Sequence, residues 1–257
     1  MKTRTSFFSF ASAFLIIASI CLSFRAYEPW ELAPLVDAIR MGNRQAVEKA
    51  LKAGVNANSI GPGGNPLLLE AVVAGQVEIV KMLLDRGADP KAKGNETIAV
   101  AAVRQGRMDM LKLLLQAGAY INRPEGAPNW DDILVAAARS KNTDMIRYLI
   151  SRGANPKASG LGDTTALQVA AARGDIETMN ALIAAGADIN HRELNGMTAL
   201  MIACQKGQTE AAKLLVAYGA DASLSDGYGR GAEWFASHSD ASGTQQLRVA
   251  CAPKSAR

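Results

Sequence analysis

Histidine and cysteine are scarce in this sequence, which contains two histidines and three cysteines among 257 residues. Metal sites are built largely from these side chains, so we expect no bound metal. The sequence also contains no phosphate-cradling glycine loop, no HExxH motif and no GxSxG motif, which mark nucleotide, metalloprotease and hydrolase sites. These absences predict a protein that is not an enzyme and that needs no cofactor.

An excess of basic residues is also lacking outside the N-terminus. The formal net charge is +4, but Lys2, Arg4 and Arg25 supply three of those charges, which leaves only +1 for residues 28–257. No run of Lys or Arg is interleaved with aromatic residues. We therefore expect no nucleic-acid partner.

The N-terminus combines a short basic head with an uncharged, largely apolar run at residues 7–24. This pattern predicts an export signal within residues 1–27. The length of the run fits either a signal peptide that is cleaved or a minimal transmembrane anchor. We expect export across an inner membrane into a Gram-negative periplasm, with membrane contact only through residues 7–24 if the signal is retained.

A single period organises the rest of the chain. Similar pentads recur at spacings of 33, 31, 35, 33 and 33 residues, and they begin at Gly54, Gly87, Gly118, Gly153, Gly186 and Gly219. A second landmark recurs 21 residues before each of these glycines, as in TALQVA at 165–170 and TALMIA at 198–203. The chain thus resembles the ankyrin repeat, a unit of about 33 residues with the signature TPLHxA, over residues 31–240.

The resemblance implies an all-α repeat solenoid, in which helix-turn-helix units stack and are joined by β-hairpin-like fingers. We call a finger the connection from each pentad glycine to the next helix. Residues 1–27 are assigned to the signal peptide or anchor, and residues 226–257 to a degenerate capping repeat and tail. Residues 28–225 are assigned to six repeats, at about 31–57, 58–90, 91–121, 122–156, 157–189 and 190–222. We expect a monomer.

Local signals predict how each unit folds. The first helix has a side chain suited to capping its N-terminus in four units, at Thr97, Asp132, Thr165 and Thr198. It ends at a glycine in five units, whereas Lys141 replaces that glycine in the fourth, and we expect a lengthened or distorted turn there. No unit has the histidine of the signature, which predicts softer fingers; its place is taken by Val36, Leu69, Val100, Val135, Gln168 and Met201.

The ends of the array need covering. We expect Trp234 and Phe235 to cover the sixth unit and Trp30 to cover the first, while the polar stretch SHSDASGTQQ stands where the earlier units have their helix junction and second helix. By the repeat register, Cys204 lies in a first helix and Cys251 at the outer end of a second helix one unit on. Their Cα atoms should be more than about 7 Å apart, which argues against a disulfide.

The resemblance implies a binding surface made of the finger tips and the exposed face of the first helices. Five units carry a basic residue close to the end of the first helix, and we call this set the basic ladder: Arg40, Arg104, Arg139, Arg173 and Lys206. The ladder either attracts a protein with an acidic face or reflects only the preference of cations for helix C-termini.

One pair of fingers breaks the rhythm. Most fingers run 12 residues from the pentad glycine to the next helix start, but one runs 10 and the next runs 14. The long finger carries Tyr120, Arg123, Glu125 and Trp130, of which Tyr, Arg and Trp are types that dominate binding hot spots. Trp130 either anchors a partner or folds back to fill the gap beside the short finger. In the next residues, Asp132 is better interpreted as a helix cap than as half of a catalytic pair with Asp131.

His191 and Arg192, which lie in the finger before the sixth first helix, complete the candidate contacts. Together these features predict an exported protein–protein interaction module that holds one protein partner. The alternative is an inhibitor or immunity protein that blocks a toxin or an envelope enzyme. An enzyme would require a catalytic constellation that the sequence lacks.

Overall fold

The computed structural model describes residues 28–92, 94, 96–124, 131–239 and 244–252. The predicted export signal at 1–27 lies outside these residues. Over the described residues the fold consists of helices joined by turns, with isolated bridges Ile60–Pro66, Ser159–Thr165 and Ser225–Gly231 at the bases of three fingers. The predicted all-α repeat fold is confirmed.

The helices come in pairs. Their bounds are α1 Ala33–Arg40, α2 Arg44–Lys52, α3 Leu67–Val73, α4 Val77–Asp85, α5 Ile98–Arg104, α6 Met108–Gln116, α7 Ile133–Arg139, α8 Thr143–Ser151, α9 Ala166–Arg173, α10 Ile176–Ala184, α11 Ala199–Gln205, α12 Thr209–Ala217, α13 Ala232–Ser237 and α14 Thr244–Cys251. Short 3-10 turns lie at Pro29–Leu32 and Leu161–Asp163. Odd-numbered helices are the first helices of their repeats and even-numbered helices are the second.

The described residues form two compact units, which we call unit 1 (up to Asp89) and unit 2 (from Pro90 onward). In unit 1, α1 packs against α2 and α3, and α4 packs against α2 and α3. In unit 2, the first helices α5, α7, α9, α11 and α13 pack in succession, and so do the second helices α8, α10, α12 and α14.

Burial explains why the repeats stack. In α7, all residues from Ile133 to Ala138 are buried, so this short helix is enclosed on every side by its neighbours. In α8, only one face is buried, through Met145, Ile146 and Leu149. Fully burying a side chain such as Leu149 contributes about 1.5–3 kcal/mol. Neither helix could bury this surface alone, so each repeat depends on the next.

The predicted N-caps are confirmed. The side chains of Thr97, Asp132, Thr165 and Thr198 each accept a hydrogen bond from a backbone N–H in the first turn of α5, α7, α9 and α11. These N–H groups have no partner within the helix, and each such cap contributes about 1 kcal/mol.

The expected distortion at Lys141 is wrong. Helix α7 ends at Arg139 and is seven residues long, the same length as α5. Lys141 adopts a φ of 52°, close to the 66° of Gly106 at the corresponding position. The turn therefore keeps its geometry, and the cost appears as backbone strain in a residue that has a Cβ atom.

The C-terminal end differs from expectation in two ways. A second helix, α14, does form, and it buries Leu247, Ala250 and Cys251. Phe235 is buried as predicted, whereas Trp234 is 41% exposed and covers its neighbours only in part. At the front, Trp30 is 69% exposed, so the prediction that it covers the first unit is also wrong.

The prediction of unpaired cysteines is also wrong, because Cys204 and Cys251 form a disulfide. Their Cα atoms are 6.6 Å apart and both residues are fully buried. The register argument fails because α14 packs against α11 in addition to α12 and α13. This placement brings the end of α14 within disulfide range of α11.

Candidate protein-binding surface

The first member of the basic ladder is neutralised within unit 1. Arg40 Nη2 lies 2.9 Å from Glu70 Oε2, and Arg40 Nε donates to the same oxygen at 3.0 Å. Glu70 belongs to α3 and is buried, and the side-chain amide of Asn65 donates to its other oxygen at 3.2 Å. Arg40 thus links two repeats and is not left as an uncompensated charge.

Arg104 and Arg139 in unit 2 share one buried carboxylate. Asp131 Oδ2 lies 2.7 Å from Arg139 Nη1 and 3.5 Å from Arg104 Nη2, and the Asp131 side chain is only 1% exposed. The backbone N–H of Leu161 donates to Asp131 Oδ1 at 3.5 Å. Asp131 therefore joins the ends of α5 and α7 to the following finger.

Glu96 adds a second carboxylate to this group, because its Oε2 lies 3.3 Å from Arg104 Nη1. Burial raises the pKa of Glu96 above its ordinary value, against the lowering effect of Arg104, and the nearby Asp131 raises it further. Neither acid was predicted as part of the surface. The signal that could have revealed them is their shared position, since each directly precedes the N-cap of a first helix.

The structure confirms that Asp132 caps the N-terminus of α7. Its Oδ1 accepts a hydrogen bond from the Leu134 backbone N–H at 2.9 Å. Burial raises the pKa of Asp132, while backbone hydrogen bonds at the start of α7 lower it in part. The side chain is therefore committed to the helix N-terminus.

Arg173 and Lys206, the last two members of the ladder, are exposed and lie at the ends of α9 and α11. Arg173 Nη1 donates to the backbone carbonyl of Arg139. Within the part of the chain that the structure describes, neither base has a carboxylate within ion-pair distance. The ladder is thus divided: Arg40, Arg104 and Arg139 are paired with buried acids, and these two bases are not.

The candidates His191 and Arg192 hold neighbouring fingers together. His191 Nε2 lies 2.7 Å from the Asp163 carbonyl oxygen and 3.5 Å from Asp163 Oδ2. Arg192 Nη2 donates to the Ser225 carbonyl at 2.8 Å. His191 is partly buried, whereas Arg192 remains exposed to solvent.

Gln168 stands where the repeat signature has histidine, and it fixes the next finger. Its Nε2 donates to the carbonyl oxygens of His191 and Met197 at 3.2 and 2.9 Å, and its Oε1 accepts from the Thr165 N–H at 2.8 Å. The expectation of soft fingers is therefore wrong for this unit, because an amide supplies the hydrogen bonds that attach the finger to the helix.

Three consecutive fingers of unit 2 expose apolar side chains at their tips. Leu161 is 41% exposed, and Leu194 and Tyr228 are each 79% exposed. Backbone hydrogen bonds join these fingers, from Leu194 N to Gly162 O at 3.3 Å and from Gly227 N to Asn195 O at 2.9 Å. We call this set, Leu161, Leu194 and Tyr228, the tip row.

An arginine with aromatic neighbours adjoins the last tip and was not predicted. The Arg230 guanidinium lies 4.8 Å from the Tyr228 ring and 4.9 Å from the Trp234 ring. Its Nη2 is 2.7 Å from Asp226 Oδ2. Burial raises the pKa of Asp226, but hydrogen bonds from the side chain and backbone of Arg230 outweigh it, so the pKa lies below its ordinary value. The ion pair holds Arg230 against both rings.

The long finger is only partly within the described residues. Tyr120 and Arg123 are described, whereas Glu125 and Trp130 lie outside, and so do both hypotheses for Trp130. The Tyr120 ring is partly exposed, and Lys91 Nζ lies 5.4 Å from its centroid. Arg123 is exposed.

Two further properties hold for the residues that the structure describes. None of their helices combines the length and apolarity needed to cross a bilayer. No group of three or more His, Cys, Asp or Glu side chains among them could hold a metal ion.

Paired short helices that pack in succession, with a finger between one pair and the next, define a helical repeat protein. The family description "Ankyrin repeats (3 copies)" matches residues 35–125, 133–226 and 167–244. This chain belongs to the ankyrin repeat family. Ankyrin repeats are protein–protein interaction modules, and the family is generally non-enzymatic.

Known relatives match only part of the chain. The human Notch-regulated ankyrin repeat-containing protein is 39% identical over 57 residues, which cover 21% of this chain and 50% of that protein. The mouse protein of the same name matches equally. The chain spans about half the length of the curated relatives it matches.

Solved structures match over a larger share. The ankyrin repeat domain of human ASB11 has a TM-score of 0.73 and 24% identity, covering 86% of this chain and 99% of that one. The ankyrin repeat domain of Bcl-3, described as a unique member of the IkappaB protein family, has a TM-score of 0.66 and 21% identity, covering 85% and 97%. At these identities the likeness shows the fold alone.

Proposed function

We propose that this protein is an exported binding module that holds one protein partner on unit 2, through the tip row. The observation that carries the proposal is the exposure of Leu161, Leu194 and Tyr228 on three fingers that hydrogen bonds hold in register. Single exposed apolar residues are ordinary on a protein surface. Exposed apolar side chains on three successive fingers are what a binding edge requires.

Preorganisation supports the same proposal. The inter-finger bonds of His191 and Arg192, with the two bonds from Gln168, fix the fingers before a partner arrives. Binding therefore loses little conformational entropy at this edge. Tyr228 and the adjacent Arg230 are also residue types that frequently form hot spots.

Export is supported by two independent features. The apolar run at residues 7–24 follows a basic head, as in signal peptides and signal anchors. The Cys204–Cys251 disulfide suits an oxidising compartment, because cytosolic thiols are kept reduced. An alkaline phosphatase fusion placed after residue 27 tests this part, since the fusion is active only if it is exported. A fusion that stays inactive would refute export.

The binding edge is tested by capturing the partner from an envelope extract with wild-type protein and a cross-linker. We expect the double variant Leu194→Ala/Tyr228→Ala to lose at least 100-fold in affinity for the captured partner. Tyr218→Ala is the matched control, because Tyr218 is an exposed aromatic residue at the end of α12 and does not belong to the tip row. Equal affinities for the wild type and the double variant would refute the tip row as the binding edge.

The same experiment separates a scaffold from an inhibitor. If the captured partner is an enzyme or toxin, its activity is measured with increasing amounts of the binding module. An inhibitor abolishes the activity at equimolar ratio, whereas a scaffold leaves the activity in place.

A further inference from the structure

In unit 2, the first two bases of the basic ladder differ from the last two in the residue that precedes the N-cap of the first helix. The repeats of Arg104 and Arg139 place an acid, Glu96 or Asp131, directly before the N-cap of the first helix. The repeats of Arg173 and Lys206 have Thr164 and Met197 at that position, and neither base has an ion-pair partner among the described residues. Arg104 and Arg139 are thus paired with acids of the protein itself, whereas the charges of Arg173 and Lys206 are available to a ligand.

Helix electrostatics does not explain this division. A cation near a helix C-terminus is favoured at every repeat alike, so the helix accounts for the presence of the bases and not for the missing acids. Asp175 is the nearest acid along the chain to Arg173. It caps α10 through the Thr178 N–H at 3.1 Å and is not within ion-pair distance of either base.

The spacing of the two bases indicates the shape of the ligand. Arg173 and Lys206 are 33 residues apart in the sequence, at equivalent positions on α9 and α11, which pack directly against each other. Packed helix axes lie about 8–10 Å apart. A segment in the extended polyproline II conformation has three residues per turn and advances about 3.1 Å per residue, so side chains three residues apart lie on the same side and span about the distance from one base to the next.

We propose that the ends of α9 and α11 bind an extended acidic protein segment whose carboxylates recur at every third residue. One carboxylate meets Arg173 and the next meets Lys206. The Arg173 guanidinium is held for this role by its bond to the Arg139 carbonyl. This proposal rests on the proposed function, since it names the chemistry of the partner that the binding module holds.

A protein segment is favoured over a nucleic acid or an anionic membrane. Sequence-independent binding of a phosphate backbone draws its affinity from many phosphate contacts, on the order of 6–10 in strong cases. Here two cations are uncompensated at the helix ends, and the acids of the neighbouring repeats neutralise the others. A site with two charges at a fixed spacing selects a ligand with matching spacing.

The test uses three labelled ten-residue peptides and fluorescence anisotropy at low salt. The first has glutamate at every third position, and serine and alanine fill the positions between the glutamates. The second has the same composition with its glutamates adjacent, and the third carries lysine in place of glutamate. We expect the spaced peptide to bind at least fivefold more tightly than the adjacent one, and the lysine peptide not to bind.

Variants locate the binding. Arg173→Gln/Lys206→Gln should reduce the affinity for the spaced peptide at least fivefold. Lys206→Gln alone removes one base without disturbing an intramolecular bond, so it keeps the test valid if the double variant is unstable. The control Arg147→Gln/Lys213→Gln removes the same charge from the second helices, where both bases are paired with exposed acids. It should leave the affinity unchanged.

Several outcomes would overturn the proposal. They are no saturable binding of the spaced peptide, equal binding of the adjacent peptide, an unchanged affinity in Lys206→Gln, or tighter binding of single-stranded DNA or anionic vesicles than of the spaced peptide. The captured natural partner separates the two proposals. If it binds Arg173→Gln/Lys206→Gln as tightly as wild type but loses affinity for Leu194→Ala/Tyr228→Ala, the acidic-segment proposal fails and the proposed function stands.

Discussion

Cys204 and Cys251 are 47 residues apart in the sequence, yet a buried disulfide joins them and ties α14 to α11. This covalent link adds to the packing of α14 against α11, α12 and α13. Closing a loop of this length restricts the unfolded chain, and this restriction is the main source of the expected gain in stability.

Removing the disulfide should lower the free energy of unfolding by about 2–4 kcal/mol. The variants are Cys204→Ala, Cys251→Ala and the double variant, measured by urea unfolding with and without reductant. If the loss of stability comes from the bridge itself, the double variant should lose no more free energy of unfolding than about that of the less stable single variant. Reductant should lower the stability of wild type and leave the double variant unchanged. Equal stability of wild type in both conditions would contradict the prediction.

The ion pair of Asp131 and Arg139 should be a stabilising link between repeats. Arg139→Met leaves the buried Asp131 carboxylate with two long contacts, both of 3.5 Å, to Arg104 and to the backbone N–H of Leu161, so we expect a loss of about 1.5–3 kcal/mol in the free energy of unfolding. Arg139→Met combined with Asp131→Asn should recover part of this loss, because the buried charge is then also removed.

Arg147→Met is the matched control for Arg139→Met. It breaks an ion pair with Glu177 at 3.2 Å in which both side chains are exposed. Exposed pairs contribute about 0–1 kcal/mol. Urea unfolding of the three variants and the wild type measures the difference. Equal losses for Arg139→Met and Arg147→Met would show that the burial of Asp131 has no energetic consequence.

The repeat positions and the helix caps could be predicted from the sequence because they depend on contacts within one repeat. Thr97 and Thr198 lie within a few residues of the N–H groups they cap. The pairing of Asp131 with Arg104 could not be predicted in this way, because the two residues belong to different repeats and are 27 residues apart in the sequence. Family resemblance indicates which helices pack and not which side chains meet.

The disulfide and the tip row show a second limit. The register argument treats every repeat as equivalent, and it fails at α14 because the last second helix also packs on α11. The tip row depends on the exposure of Leu194 and Tyr228, which periodicity does not report. Both features belong to individual repeats, whereas periodicity reports only what the repeats share.

Lys141→Gly should stabilise the protein. Lys141 adopts a φ of 52°, in the left-handed region that costs a residue with a Cβ atom about 1–2 kcal/mol. Glycine removes that strain, at some cost in the entropy of the unfolded chain. We expect a net gain of about 0.5–1 kcal/mol in the free energy of unfolding, measured by urea titration.

Gly106→Lys provides the reverse substitution at the corresponding position two helices earlier. Gly106 has a φ of 66°, and a Cβ atom built on it would meet no atom within 4 Å. Any loss of stability therefore reports the backbone conformation and not a steric clash. Lys141→Gly and Gly106→Lys should have opposite signs, and a destabilised Lys141→Gly would contradict the argument.

Glu96→Gln should stabilise the protein at neutral pH and not at acidic pH. Burial raises the pKa of Glu96 in the folded state above its ordinary value. The folded protein thus binds this proton more tightly than the unfolded chain, so the carboxyl contribution to stability is fully present below the unfolded pKa, about 4.3, and falls as the pH rises through the folded pKa. Glutamine does not titrate and avoids this loss. Urea midpoints at pH 7 should favour Glu96→Gln, and the difference should shrink at pH 4.

Glu78→Gln should behave in the opposite way, which separates a specific effect of Glu96 from a general effect of removing negative charge. Glu78 is exposed, and its hydrogen bond and attraction to Lys81 lower its pKa. Its contribution is present above the unfolded pKa and is lost as the pH falls through the folded one. Glu78→Gln should therefore be slightly destabilising at pH 7 and neutral at low pH. If both variants shift the urea midpoint in the same direction at pH 7, burial of Glu96 is not the cause.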